Sequence, residues 1–187
     1  MDQAERKRLC PLSNAHKLER NSRKFFQNPH RILKPYIKEG MTVMDFGCGP
    51  GFYTIEMANL IKDTGKVYAV DLQEGMLDLL KQKIKGTEAE KNIVFHKCEK
   101  DKIGLSVKLD FILAFYVVHE VPSQENLFKE FKSLLKPEGK ILIVEPKSRV
   151  TKSEFAQMIE TLKSEGFEII SHRTCISSRS VVIRQKS

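Results

Sequence analysis

Nine consecutive residues, Val43-Met44-Asp45-Phe46-Gly47-Cys48-Gly49-Pro50-Gly51, set three glycines at alternate positions behind a short apolar run. Glycine at such a turn lets the backbone approach a ligand where a side chain would stand in the way. Twenty residues beyond Gly51 comes Asp71, closing a second apolar run over residues 67–70. An acid at that place can accept hydrogen bonds from both hydroxyls of a ribose. A third group, Tyr116-Val117-Val118-His119-Glu120-Val121-Pro122, follows the longest apolar run of the chain. The unperturbed pKa of histidine lies near neutrality, so His119 is a candidate general base. It would serve equally well as a hydrogen-bonded brace for its loop. Tyr116 and Glu120 are further catalytic candidates.

Nicotinamide and flavin enzymes share both the glycine turn and the acid after the second strand, so neither feature names a ligand. Asp45, two residues before the first glycine, does discriminate. A dinucleotide lays an anionic pyrophosphate over the glycine turn, and a carboxylate there repels it. S-adenosylmethionine (SAM) carries an ammonium and a sulfonium instead, and a nearby carboxylate favours both. The competing reading is that Asp45 only braces the turn through hydrogen bonds.

These groups need a scaffold to hold them. From Thr42 onward, short apolar runs alternate with amphipathic segments, the pattern of repeated βα units. Residues 43–46, 67–70, 93–96, 109–115 and 141–144 are the expected strands. The unbroken apolar run 109–115 suits a central parallel strand buried on both faces. Phe52, Ile55, Ala58, Leu60 and Ile61 mark one helix, and Met76, Leu77, Leu80 and Ile84 the next. Leu127, Phe128, Phe131, Leu134 and Leu135 mark a third, stopped by Pro137-Glu138-Gly139. Thr151-Lys152-Ser153-Glu154 reads as a capping box opening a helix with Phe155, Met158, Ile159 and Leu162 inward, ended by Gly166. Residues 167–176 and 181–183 follow with no helix between them, so they should pair as an antiparallel hairpin. Asn28-Pro29 has the cap and the proline at the preferred places for a helix start.

With residues 70–77, 95–100, 111–122 and 135–140, the 43–51 segment resembles the Rossmann-like (class I) SAM-dependent methyltransferase superfamily, small-molecule type. The resemblance runs over about residues 30–186. It implies an α/β fold: a Rossmann-like three-layer αβα sandwich on a mostly parallel seven-stranded sheet with one antiparallel strand, plus an N-terminal helical arm. By position, Gly47, Cys48, Gly49 and Gly51 should pass under the methionine part of SAM, with Asp45 near its ammonium group. Asp71 should bind the ribose hydroxyls, and Leu72 and Met76 should flank the adenine, although both also suit core packing. Glu99 and Lys100 fall where the family has an acid followed by alanine beside the adenine amino group; Glu99 keeps the acid and Lys100 departs. Phe115 should lie close to the sulfonium. The polar-Pro-Pro-aromatic motif of the nucleic-acid base N-methyltransferases is absent after the fourth strand. The His-Glu-Val pattern instead looks like methyltransferases of quinones, sterols and arsenite.

The 187 residues suit one SAM-binding domain, residues 39–187, behind a basic arm or lid, residues 1–38. Of the formal net charge of +8, the arm carries nearly all: ten Lys and Arg against Asp2, Glu5 and Glu19. The arm opens two alternatives, an RNA or protein methyltransferase that uses it to hold its substrate, and a SAM-binding module without chemistry. Nucleic acid is the less expected partner, because a solvated basic helix explains the charge more simply. No apolar run is long enough to span a bilayer, and no secretory signal is visible, so a cytoplasmic setting is expected. Cys10, Cys48, Cys98 and Cys175 lack the close spacing of a zinc site or a disulfide framework, and no metal is expected. Convergence of these thiols on a metalloid would be the exception. Oligomeric state and the identity of the methyl acceptor are not written in the residues.

Overall fold

Apolar runs and amphipathic segments fold into alternating strands and helices in a computed structural model that describes residues 11–19, 27–174 and 176–186. The chain divides into two compact units, Met1–Lys97 and Cys98–Ser187. The first unit builds a parallel ladder from β1 (Thr42–Phe46), β2 (Lys66–Asp71) and β3 (Ile93–Lys97). β2 lies in the middle, with Asp45 opposite Ala69 and Asp71 opposite Lys97. Among the described residues three α-helices accompany it: α1 (Pro29–Leu33), α2 (Thr54–Ile61) and α3 (Glu74–Ile84).

Local signals explain the helix limits. The Asn28 side chain accepts the Arg31 N–H at 3.1 Å and Pro29 occupies the first turn, where a missing N–H costs nothing. α1 is short, yet its Leu33 is fully buried. α2 starts at Thr54, so its buried face is Thr54, Met57, Ala58 and Ile61. Of the residues expected to mark this helix, Phe52 lies before its start in the glycine turn, and Ile55 and Leu60 are half-buried. α3 buries Met76, Leu77, Leu80 and Ile84 as expected. Ahead of α1, Leu12–Glu19 forms a 3-10 helix. A Cβ added at Gly75, in the first turn of α3, would meet Leu12 Cδ2 at 2.7 Å, so Leu12 sits directly on that glycine.

In the second unit, β4 (Leu109–Phe115) runs parallel to β5 (Leu135–Pro146), β7 (Ser178–Gln185) lies antiparallel to β5, and β6 (Phe167–Thr174) completes the hairpin. α4 (Gln124–Leu134) and α5 (Lys152–Ser164) pack together, α5 opened by the capping box in which Thr151 and Glu154 exchange side-chain-to-backbone bonds. Boundaries differ from expectation in two places: the hairpin strands end at Thr174 and begin at Ser178, not at residues 176 and 181, and Leu135 opens β5 instead of ending a helix, so that β5 begins well before residue 141. Leu109 pairs with Leu135, yet Phe111 pairs with Lys140. The surplus residues on β5 bulge around Pro137-Glu138-Gly139, and a side chain at 139 would collide with Leu135 and the Leu109 carbonyl. Among the described residues the seven strands form a mixed sheet in which β7 is antiparallel, with helices flanking. No helix among them is long and apolar enough to cross a membrane. The expectations for residues 1–10 and 20–26 of the arm, and for Cys10 and Cys175, lie outside the described residues.

Candidate functional site

The turn after β1 is held open by its own backbone. Gly47, Gly49 and Gly51 all take positive φ, at 73°, 53° and 88°, the left-handed region that only glycine enters without strain. The N–H groups of Gly47 and Cys48 both donate to the Val70 carbonyl, at 2.8 and 3.0 Å, which ties the turn to the end of β2. Lys83 of α3 reaches over to the Pro50 carbonyl, and burial lowers its pKa. Gly51 is required by packing as well: a Cβ there would lie 2.2 Å from Leu80 Cδ1.

Two buried carboxylates flank this turn. Asp71, 8% exposed, accepts the Gly49 N–H on Oδ2 at 2.9 Å and the Gln73 N–H on Oδ1 at 2.8 Å. Burial raises its pKa above the usual carboxylate value, opposed by the backbone N–H groups of Gln73, Gly49 and Leu72, which favour the ionised form. Asp45, 2% exposed, accepts a 2.6 Å hydrogen bond from Thr54 Oγ1 at the start of α2. Bracing of the turn by Asp45 therefore has a visible partner. The two readings of Asp45 are compatible, since a carboxylate has about four acceptor positions and keeps its charge while accepting one bond.

Asp45, Gly47, Cys48, Gly49, Gly51, Asp71, Leu72 and Met76 thus belong to one unit and cluster at the ends of β1 and β2. Cys48 is buried and Leu72 half-buried, while Met76 is fully buried, in keeping with core packing. The donor set fits a cofactor bearing a cation and a ribose: positive-φ glycines expose backbone, and buried carboxylates stand beside them. The same set disfavours a pyrophosphate. Among the described residues no cluster of His, Cys, Asp and Glu is suited to a metal ion.

The remaining candidates belong to the second unit. Glu99 and Lys100 are exposed on the loop after β3, where the Glu99 N–H donates to the Lys102 carbonyl at 2.9 Å. Phe115 ends β4, buried, with its ring centroid 4.5 Å from that of Tyr116. Tyr116 adopts φ 62°, a left-handed conformation that costs a residue with a Cβ ~1–3 kcal/mol. The bond from its N–H to the Val144 carbonyl, 2.8 Å, holds it there. The chain then makes a 3-10 turn, Val118–Glu120, on which His119 Nδ1 lies 2.5 Å from Glu145 Oε2. Glu120 sits half-buried on the same turn. Glu145, near the end of β5, was not among the residues singled out from the sequence. An acid that closes the apolar run Ile141-Leu142-Ile143-Val144 was the available signal, and its partner lies 26 residues away in the chain.

A family profile described as a methyltransferase domain matches residues 37–185. Demethylmenaquinone methyltransferase from Lactobacillus johnsonii is 30% identical over 124 residues, covering 66% of this chain and 48% of that protein. The protein of the same name from Bacillus mycoides is 28% identical over 109 residues, covering 58% of this chain and 46% of that protein. The chain spans about half the length of the curated relatives it matches. A solved structure of a SAM dependent methyltransferase from Aquifex aeolicus matches with a TM-score of 0.84 at 28% identity, over 94% of this chain and 98% of that one.

Proposed function

The chain belongs to the methyltransferase-domain family, in its Rossmann-like SAM-dependent class, and on that footing we propose that it transfers the methyl group of SAM to a small-molecule acceptor. The observation that carries the reading is the pair of buried carboxylates, Asp45 and Asp71, beside a glycine turn preset in left-handed geometry. Asp71 would hold the ribose and Asp45 the ammonium end, with Gly47, Cys48, Gly49 and Gly51 beneath the methionine part and Leu72 and Met76 at the adenine. Glu99, Lys100 and Phe115 carry over from the family resemblance. SAM supplies a methyl carbon made electrophilic by its sulfonium. Holding donor and acceptor in line accounts for up to ~7–11 kcal/mol of barrier lowering in favourable cases.

For the acceptor, the names of the relatives make demethylmenaquinone the first compound to test. His119, Tyr116 and Glu120 are the residues proposed to act on it, and the spacing of the cysteines suits a cytoplasmic setting. The segment before Asn28 is proposed as a cover; support comes from Leu12, seated on Gly75 between Leu72 and Met76. Titration calorimetry with SAM, S-adenosylhomocysteine and NAD tests the reading, followed by transfer of labelled methyl to demethylmenaquinone and a panel of small acceptors. Binding of both SAM compounds but not NAD is expected. NAD binding without any response to either SAM compound overturns it, and SAM binding with transfer only to RNA or protein would move the acceptor to a macromolecule.

A further inference from the structure

We propose that Glu145 is a positioning residue that fixes His119 as a proton acceptor, so that the methyl acceptor is a compound whose nucleophilic atom must lose a proton: a phenol-type O–H or an enolisable C–H, not an amine. The inference rests on the methyltransferase reading above. His119 Nδ1 and Glu145 Oε2 lie 2.5 Å apart, with the histidine side chain 17% exposed and the glutamate 1%. An ionised carboxylate only accepts hydrogen bonds, so the proton between the two atoms belongs to Nδ1. In the neutral ring that leaves the lone pair on Nε2, the atom that takes up a proton.

A second observation is independent of the first. Glu145 Oε1 is buried and has no hydrogen-bond partner among the described residues. Buried polar atoms are nearly always satisfied, and an exception calls for an explanation. A histidine needed only to hold its loop would be served by a backbone carbonyl, without an acid sealed at the end of β5. The orphan oxygen is a waiting acceptor for a donor group, and a water bound beside the methyl acceptor supplies one. The other charged groups around the pair do not replace this role. Arg179, opposite Glu145 in β7, donates through Nη1 to the Val150 carbonyl at 2.8 Å. Glu120 shares the turn of His119, and Lys147 follows two residues after Glu145. Tyr116 is the remaining titratable group on that stretch.

The step balances as follows. His119 Nε2 removes the proton from the acceptor, whose electron pair forms the new bond to the methyl carbon. The carbon–sulfur bond breaks with its pair left on sulfur, which becomes a neutral thioether. The imidazolium, held by the Glu145 carboxylate, then releases its proton to water.

Histidine ring spectra of the ¹⁵N-labelled full chain, with His119 assigned by its loss in His119→Gln, test the pair without any acceptor. Expected are the neutral tautomer with the proton on Nδ1 in the wild type and a mixture of the two tautomers in Glu145→Gln, whose amide can turn either its oxygen or its NH2 to Nδ1. A proton on Nε2 in the wild type, or the same single tautomer in the variant, overturns the proposal; if the variant does not fold, the wild-type tautomer decides alone. Calorimetry with SAM on the same samples keeps the two readings apart, since loss of SAM binding by the wild type strikes the methyltransferase reading and not the dyad. Among compounds that accept the labelled methyl, O–H and C–H acids should lose at least tenfold in rate in Glu145→Gln at unchanged SAM affinity. Methylation confined to amines overturns the assignment.

Discussion

Burial drives Asp71 towards its neutral form while three backbone N–H groups pull it towards the anion, and burial is the larger influence. In the role proposed for it, Asp71 accepts from ribose hydroxyls as the carboxylate, and a proton on Asp71 would compete with the cofactor. Because the pKa is raised, that competition begins at a higher pH than for an ordinary aspartate: SAM affinity should be flat near neutrality and decline as pH falls through the raised value. Calorimetry across the acidic range checks this, with Asp71→Asn as the control that should show no such decline. The variant should also bind more weakly throughout, since hydrogen bonds involving a charged group contribute ~1.5–3 kcal/mol, or roughly ten- to a hundredfold in affinity. Asp45 separates into charge and brace by a pair of variants. Asp45→Asn keeps an acceptor for Thr54 Oγ1 and removes the charge, so SAM affinity should drop several-fold with little change in unfolding temperature. Thr54→Val removes the donor and keeps the charge, so stability should fall by ~1–3 kcal/mol while affinity stays within a few-fold. Equal SAM affinity in wild type and Asp45→Asn would leave Asp45 with the brace alone. Glycines and acids of this kind could be read from spacing because their chemistry is local to one turn. Glu145 carried a similar signal, an acid closing an apolar run, but its meaning comes from a histidine on a different element.

Between β1 and α2 the constraint is geometric. Gly51 has φ 88° and its missing Cβ would fall 2.2 Å from Leu80, a fully buried side chain of α3. Gly51→Ala therefore meets two penalties at once, about 1–2 kcal/mol for the left-handed backbone and about 1–3 kcal/mol for overpacking. Chemical denaturation should show a loss in that range, and adding Leu80→Ala should recover part of the second penalty but none of the first. A Gly51→Ala protein as stable as wild type would mean that the turn relaxes, and the preset geometry argued for SAM would go with it. Elements with a strong period were legible: the apolar run of β4 and the inward face of α3 fall where the residues put them. The start of β5 was not, because Pro137-Glu138-Gly139 has the chemistry of a helix stop, and only the pairing of Leu109 with Leu135 turns it into a bulged strand entrance.

Charge is unevenly shared over the whole molecule, with nearly all of the net +8 in residues 1–38. That basic stretch is not of one kind. From Asn28 onward it is anchored: Leu33 and Ile37 are buried, and His30 Nδ1 meets Glu56 Oε1 of α2 at 2.7 Å. Before Asn28, among the described residues, Ala15 is buried and Leu12 sits on Gly75, next to the residues proposed to flank the adenine. We propose that this segment covers the bound cofactor and excludes water from it. Deleting residues 1–27, with the Asn28 cap retained, should leave a cooperatively unfolding protein that binds SAM to within a few-fold of the full chain. Methyl transfer to the true acceptor should fall sharply. Leu12→Ala should reproduce part of that fall with all of the arm's charge still present, which separates covering from electrostatic attraction of an acidic substrate. Denaturation, calorimetry and transfer assays on the two variants read the three quantities independently. A truncated chain that does not fold puts the arm in the core; one that folds and methylates at the full rate removes the cover from the mechanism.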